Sequence, residues 1–114
     1  MCGQNDRVSS RLVAQEDKDM SVSVILEATV KDMDAFQALF LKILPATRSY
    51  EGCEGLTVHR NLDDPANVVL VERWESRAHY EKYLAWRDET KFLGQLGALL
   101  EDPPSIRFYS NVGV

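Results

Sequence analysis

The chain has little cysteine and histidine, and this scarcity excludes several kinds of site. Its two cysteines, Cys2 and Cys53, form no paired spacing, so we expect neither a disulfide framework nor a zinc module. Its two histidines, His59 and His79, have no cysteine or carboxylate at ligand spacing beside them. The sequence therefore predicts no metal site and fits a reducing compartment such as the cytoplasm.

Basic residues and long apolar runs are also scarce. The 13 basic residues are outnumbered by 18 acidic ones, and a net charge of −5 argues against a nucleic-acid partner. No apolar run approaches the ~20 residues of a membrane span, and the N-terminal stretch lacks the apolar core of a signal peptide. The phosphate-binding loop, the dinucleotide fingerprint and the nucleophile elbow are missing as well. We therefore expect a cytoplasmic protein without a cofactor, a nucleic-acid partner or a membrane partner.

The length and the pattern of the 114 residues predict one domain with an extension. Residues 1–20 are polar and aperiodic, and we interpret them as an N-terminal arm that lies on the domain or on a neighbouring subunit. Residues 21–114 carry regular apolar periodicity and form the predicted domain.

Apolar periodicity in the domain predicts the order strand, helix, strand, strand, helix, strand. The predicted strands are 21–30, 54–62, 67–75 and 105–114, and the predicted helices begin near Asp32 or Asp34 and near Ser76, with a further helical stretch over 89–102. This order is the split βαβ arrangement of ferredoxin-like α+β folds, with helices on one face of a four-stranded antiparallel sheet.

Two residues are predicted to limit the first helix. Pro45 lacks an amide proton and should kink or interrupt it. Gly52 should mark its end, because glycine tolerates the left-handed conformation that follows many helices.

The third strand is apolar on both faces. Alternation places Leu70, Glu72 and Trp74 on one side, which we assign to the helices, and Val69 and Val71 on the other. A monomer would leave the second side exposed, and a large apolar patch usually marks an interface. We predict a homodimer that packs sheet against sheet; the alternative is that these valines are simply tolerated at the surface.

Polar and aromatic side chains near the end of this strand are candidates for chemistry. Trp74 lines a cavity or is a plain core residue. Glu72 on the same face requires a partner or a shifted pKa if it is half-buried. His59 on the second strand is a general base by its ordinary pKa, or an inert half-exposed residue.

The helix after this strand adds further candidates. Tyr83 and Arg87 are four residues apart and share a helix face. Trp86 marks a lid or a dimer contact.

Three stretches of the domain are distinctive: LVERWESRAHYEKYL, the earlier EGCEGLTVHRNLDDPANVVLVERW and the later YLAWRDETKFLGQLGALLEDPPSIRFY. They resemble the antibiotic biosynthesis monooxygenase family, and the last of them is similar to the ending of quinol monooxygenase-like members. The resemblance covers about residues 21–110.

The resemblance implies a ferredoxin-like domain, a homodimer that forms an α/β barrel from two sheets, and an apolar pocket between sheet and helices. It also implies oxygenation of electron-rich aromatics, such as hydroquinones and anthrones, by molecular oxygen without flavin or metal. Trp74 matches the family tryptophan of the pocket, whereas Tyr83 stands where many members have a histidine. Strand one offers Glu27 and Thr29 but not the asparagine of haem-degrading relatives, which argues against haem breakdown.

The expected function is a cofactor-independent monooxygenase whose partners are a small aromatic substrate, molecular oxygen and a second copy of the chain. The alternative is a small-molecule-binding or isomerase dimer on the same scaffold. The expected site has two groups of residues. Those assigned to catalysis are Trp74, His59, Tyr83 and Glu72, and those assigned to substrate binding are Arg87, Trp86, Leu70 and Phe40.

Overall fold

The computed structural model describes residues 21–114, so the predicted N-terminal arm lies outside the described residues. The elements of the described part are β1 (Val22–Thr29), α1 (Met33–Ser49), β2 (Cys53–Arg60), β3 (Asn67–Trp74), α2 (Arg77–Glu89), α3 (Phe92–Ala98) and β4 (Ser105–Ser110). The four strands form one antiparallel sheet in the order β2-β3-β1-β4. The predicted ferredoxin-like α+β fold is confirmed, and the sheet is open, with β2 and β4 at its edges.

Helix α1 is not limited by the two residues that were predicted to limit it, Pro45 and Gly52. Asp32 caps its start, with Oδ1 accepting a hydrogen bond from the Ala35 amide at 3.1 Å. The helix continues through Pro45 and ends with Tyr50 as its C-cap, so the predicted interruption is wrong. Gly52, at φ 92°, lies in the turn that leads into β2 and does not itself end the helix.

Several other elements end earlier than predicted. Strand β2 ends at Arg60, and the following Asn61 accepts a hydrogen bond from the Asp63 amide at 2.8 Å and donates to Asn67 at 3.0 Å. Lys91 at φ 65° separates α2 from α3. The last strand ends at Ser110.

The helices cover the sheet face that carries Leu70, Glu72 and Trp74, as predicted. All three side chains are buried. In the register of β1 against β3, Leu26 stands opposite Leu70 and Val24 opposite Glu72. This face and the helices enclose the core.

The opposite sheet face, here called the open face, is partly apolar. Ile25 and Val69 are half-buried, and Val71 remains 40% exposed at the centre of the sheet. Tyr109 on β4 is also exposed, and Arg73 lies beside Val71 on the same strand. A covering second copy stays a prediction.

Candidate active site

The end of β3 holds a buried pair of hydrogen-bonded side chains. Glu72 and Trp74 are two residues apart on a strand and therefore point to the same face. Trp74 is 0% exposed, and its Nε1 donates a hydrogen bond to Glu72 Oε1 at 2.9 Å. The indole thus fixes one oxygen of the carboxyl group.

The surroundings of Glu72 favour its protonated form. Its cross-strand neighbours, Val24 and Leu56, are apolar, and no basic side chain among residues 21–114 lies within ion-pair distance of it. Burial raises the pKa of Glu72 from 4.5 to about 7, although the hydrogen bond from Trp74 acts in the opposite direction. A carboxyl group with this pKa can accept a proton near neutral pH.

A second buried cluster joins helices α1 and α2. Arg87 Nε donates to the Tyr83 hydroxyl at 2.9 Å, and Arg87 Nη2 donates to Thr47 Oγ1 at 2.8 Å and to the Ile43 carbonyl at 2.9 Å. The hydroxyls of Thr47 and Tyr83 are 2.7 Å apart and share a further hydrogen bond. Burial raises the pKa of Tyr83 despite these partners.

Arg87 is a buried cation with unused hydrogen-bonding capacity. Its side chain is 5% exposed, and within the described residues no carboxylate pairs with it and no acceptor meets its Nη1. The guanidinium carbon lies 4.5 Å from the ring centre of Trp86 and 4.9 Å from that of Phe92. An anion that reached Nη1 would find two N–H donors that have no acceptor within residues 21–114, on a cation that no carboxylate of this part neutralises.

A cavity of about 30 Å³ between the sheet and the helices, here called the inner chamber, connects the two clusters. Its polar lining residues are Glu72, Tyr80, Tyr83 and Arg87. The remaining lining is apolar and includes Leu70 and Phe40. This volume accommodates one or two water molecules or a dioxygen molecule, but not an aromatic ring.

A larger open groove of about 600 Å³ lies between α1 and the edge of β2, and we call it the outer groove. Its apolar lining includes Met33, Phe36, Leu41 and Val58. A groove of this size is typical of small-molecule sites.

The structure brings together most of the residues predicted from the sequence. Glu72, Tyr83, Arg87, Leu70 and Phe40 all line the inner chamber. Their assigned roles stay predictions.

Three predicted residues lie elsewhere. Trp74 stands behind Glu72 and packs against aromatic rings, among them Tyr83 at 5.0 Å between ring centres, so it is not part of the described chamber wall. Trp86 is half-buried and covers the Arg87 guanidinium. His59 is exposed on the sheet face opposite to Glu72, with Nε2 2.8 Å from Thr57 Oγ1, and it borders the outer groove rather than the chamber.

Thr47 belongs to the buried cluster between α1 and α2 but is not among the candidate residues predicted from the sequence. It is 1% exposed and contacts both Tyr83 and Arg87. One feature of the sequence pointed to it: Thr47 is a hydroxyl residue on the otherwise apolar stripe of α1. A hydroxyl group buried with that stripe requires a hydrogen-bond partner.

Two further findings bear on the site. Residues 21–114 contain no group of three or more His, Cys, Asp or Glu side chains placed to hold a metal ion. Among the helices of this part of the chain, none is both long and apolar enough to cross a membrane.

The chain belongs to the antibiotic biosynthesis monooxygenase family, whose sequence model matches residues 21–93. This match contains the whole β3–α2 segment on which Glu72, Trp74, Tyr83 and Arg87 lie. No curated protein sequence matches the chain.

Solved structures agree with this fold. A conserved protein from Methanosarcina mazei Go1 is 19% identical with a TM-score of 0.75, and the match covers 82% of this chain and 95% of that one. Rv0793 from Mycobacterium tuberculosis is 24% identical with a TM-score of 0.70, over 82% and 97% of the two chains. A structure described as an antibiotic biosynthesis monooxygenase is 20% identical with a TM-score of 0.71, over 80% and 98%. At these identities the likeness establishes the fold.

Proposed function

We propose that the protein is a cofactor-independent monooxygenase that oxidises an electron-rich phenol, such as a quinol or an anthrone in its enol form, with molecular oxygen. The observation that carries this proposal is the inner chamber, which places a carboxyl group of pKa about 7 in one largely apolar space with a guanidinium that has no carboxylate partner among residues 21–114. Family membership supports the same class of reaction.

Glu72 is the proposed general base. Its carboxylate form accepts the phenolic proton, and Trp74 holds Oε1 so that Oε2 is available to the substrate. Deprotonation matters because molecular oxygen reacts slowly with closed-shell molecules, whereas a phenolate readily passes it one electron.

Arg87 is the proposed anion-stabilising group. Its Nη1 donates to the phenolate oxygen, while Nε and Nη2 stay bound to Tyr83, Thr47 and the Ile43 carbonyl. Because these three bonds hold the guanidinium in place, it requires no reorganisation when the negative charge forms.

The oxidation is balanced without an external reductant. The phenolate transfers one electron to oxygen, the resulting radicals combine at a ring carbon, and the peroxide loses water to leave a carbonyl. One oxygen atom enters the product, and the other leaves as water with two hydrogens from the substrate. The apolar lining of the chamber protects the intermediates from solvent.

The proposed active form is a homodimer in which the open faces of two sheets pack against each other. Val71, Ile25 and Val69 would lie in that contact, where their burial stabilises the pair. The known tendency of the family fold to form dimers supports this arrangement.

A second candidate, a small-molecule-binding or isomerase dimer, is favoured by the size of the chamber. At about 30 Å³ it admits no ring until the helices or their side chains shift. An isomerase would use Glu72 to move a proton without consuming oxygen.

Oxygen consumption separates the two candidates. Protein freed of metal and flavin is given 1,4-dihydroxynaphthalene or anthrone, and oxygen uptake is compared with the autoxidation rate and with that of heat-denatured protein. We expect uptake above both, with one atom of ¹⁸O₂ in the product and the other in water. Uptake equal to autoxidation across such substrates would exclude the monooxygenase and favour the second candidate.

A further inference from the structure

The inner chamber and the outer groove share a wall. Phe40 and Leu44, one turn apart on α1, line both spaces. These side chains are therefore what separates Glu72 and Arg87 from a groove that is open to solvent.

The two spaces differ greatly in size, and neither is sufficient alone. The chamber, at about 30 Å³, holds the titratable groups but is too small for a phenol ring. The groove, at about 600 Å³, has room for a substrate but contains neither Glu72 nor Arg87. A displacement of Phe40 and Leu44 would join them into one site.

Helix α1 lacks one backbone hydrogen bond next to these side chains, which lowers the free-energy cost of displacing them. Pro45, which also lines the groove, cannot donate a backbone hydrogen bond to the Leu41 carbonyl. The turn that carries Leu44 is therefore held by one hydrogen bond fewer than an ordinary helical turn.

We propose, on the basis of the function proposed above, that the chamber and the groove form one binding site for a phenol or quinol that carries an apolar side chain. The phenol head enters the chamber past Phe40 and Leu44, and the apolar chain stays in the groove. The groove's lining supports this occupant, because most of its residues, among them Met33, Phe36 and Val58, are apolar.

Binding of phenols without turnover tests this inference independently of oxygenase activity. Under anaerobic conditions, phenol and its 4-ethyl, 4-butyl and 4-hexyl derivatives are titrated into the full-length protein by calorimetry. We expect the dissociation constant to fall by about fourfold for each added methylene that is buried.

A matched pair of variants assigns the effect to the groove. Leu41 lines the groove and is 81% exposed, whereas Leu62 is 98% exposed and lies outside its lining, so both tolerate replacement. Leu41→Glu should abolish most of the dependence of the dissociation constant on chain length. Leu62→Glu introduces the same charge and should behave like the wild type.

Three results would overturn the inference: no binding of any of these phenols, no dependence on chain length in the wild type, or equal effects of the two variants. A Leu41→Glu protein that changes its oligomeric state but keeps the chain-length dependence would also overturn it, because the groove would then hold another copy of the chain. Chain-length dependence without oxygen consumption would leave the two-part site intact and refute the oxygenase.

Discussion

Glu72 is the side chain on which the proposed chemistry depends, and its burial makes folding sensitive to pH. Its pKa is about 7 in the folded protein against 4.5 as the ordinary value, so the folded state binds the proton more tightly than the unfolded state. The resulting stabilisation is fully present below about pH 4.5 and is lost as the pH rises through 7. The whole effect is about 3 kcal/mol.

Replacing Glu72 by glutamine should remove this pH dependence. Glutamine keeps an oxygen acceptor for Trp74 Nε1 and carries no charge at any pH. The free energy of unfolding is measured by denaturant titration at pH 5 and at pH 8. Between these two pH values, we expect it to fall by about 2 to 3 kcal/mol more in the wild type than in Glu72→Gln. Parallel losses in the two proteins would show that the carboxyl group is not perturbed.

Arg87 is expected to serve function more than stability. It is a buried cation without a carboxylate partner among the described residues, and its removal also removes the cost of desolvating the charge, which is several kcal/mol for a buried ion. After Arg87→Met, Thr47 and Tyr83 still bond to each other. We expect an unfolding free energy within about 1 kcal/mol of the wild type or higher, with binding of phenols lost.

Urea denaturation and calorimetry with phenol measure the two properties of Arg87→Met. If the free energy of unfolding of Arg87→Met fell by more than about 3 kcal/mol, the main role of the cation would be to hold α1 to α2. Unchanged phenol affinity would remove Arg87 from the binding site.

At the scale of elements, the turn before β2 fixes the position of α2 over the sheet. Gly52 has a φ of 92°, and a Cβ placed there would lie 2.5 Å from the ring of His79 on α2. The absence of a side chain thus permits both the backbone conformation and the close approach of the helix.

Gly52→Ala should therefore destabilise the protein by about 2 kcal/mol or more. Gly94→Ala is the matched control, because Gly94 lies inside α3 with nothing within 4 Å of an added Cβ. There the same change should stabilise by about 0.5 to 1 kcal/mol. Thermal or urea denaturation measures both, and equal effects of the two substitutions would contradict this account of the turn.

The order of elements was predictable because each follows from a local signal. Alternation in β3 assigned Leu70, Glu72 and Trp74 to the helix side, and Ser76 marked the start of α2. Pro45 was misjudged, since packing of the α1 stripe against the sheet outweighs one missing hydrogen bond.

The site was predictable where its members are neighbours in the sequence. The spacing of Tyr83 and Arg87 placed them on one face of α2. The contribution of Thr47 depends on how α1 meets α2, and the exposed position of His59 depends on the register of β2, so local patterns could not determine either.

At the scale of the whole molecule, the open face is the main unexplained surface of the described part. Val71 is 40% exposed and stands between Ile25 on β1 and Thr57 on β2, at the centre of the sheet. A second copy packed there would bury it, as the proposed dimer requires.

Val71→Lys should convert the dimer to a monomer, because the lysine would place an unpaired charge within the sheet-to-sheet contact. Leu62→Lys adds the same charge at a 98% exposed position outside the sheet and should leave the dimer intact. Sedimentation velocity at micromolar concentration distinguishes these states. A monomeric wild-type protein would refute the proposed interface.

The central claim is that the buried Glu72 carboxyl group removes the phenolic proton before oxygen reacts, and the pH dependence of oxygen consumption tests it most directly. With the autoxidation rate subtracted, kcat/KM of the wild type should rise with pH through about 7 and then level off. Glu72→Gln should be slower by about 100-fold or more and lack this inflection. A glutamine variant with the rate and pH profile of the wild type would contradict the claim.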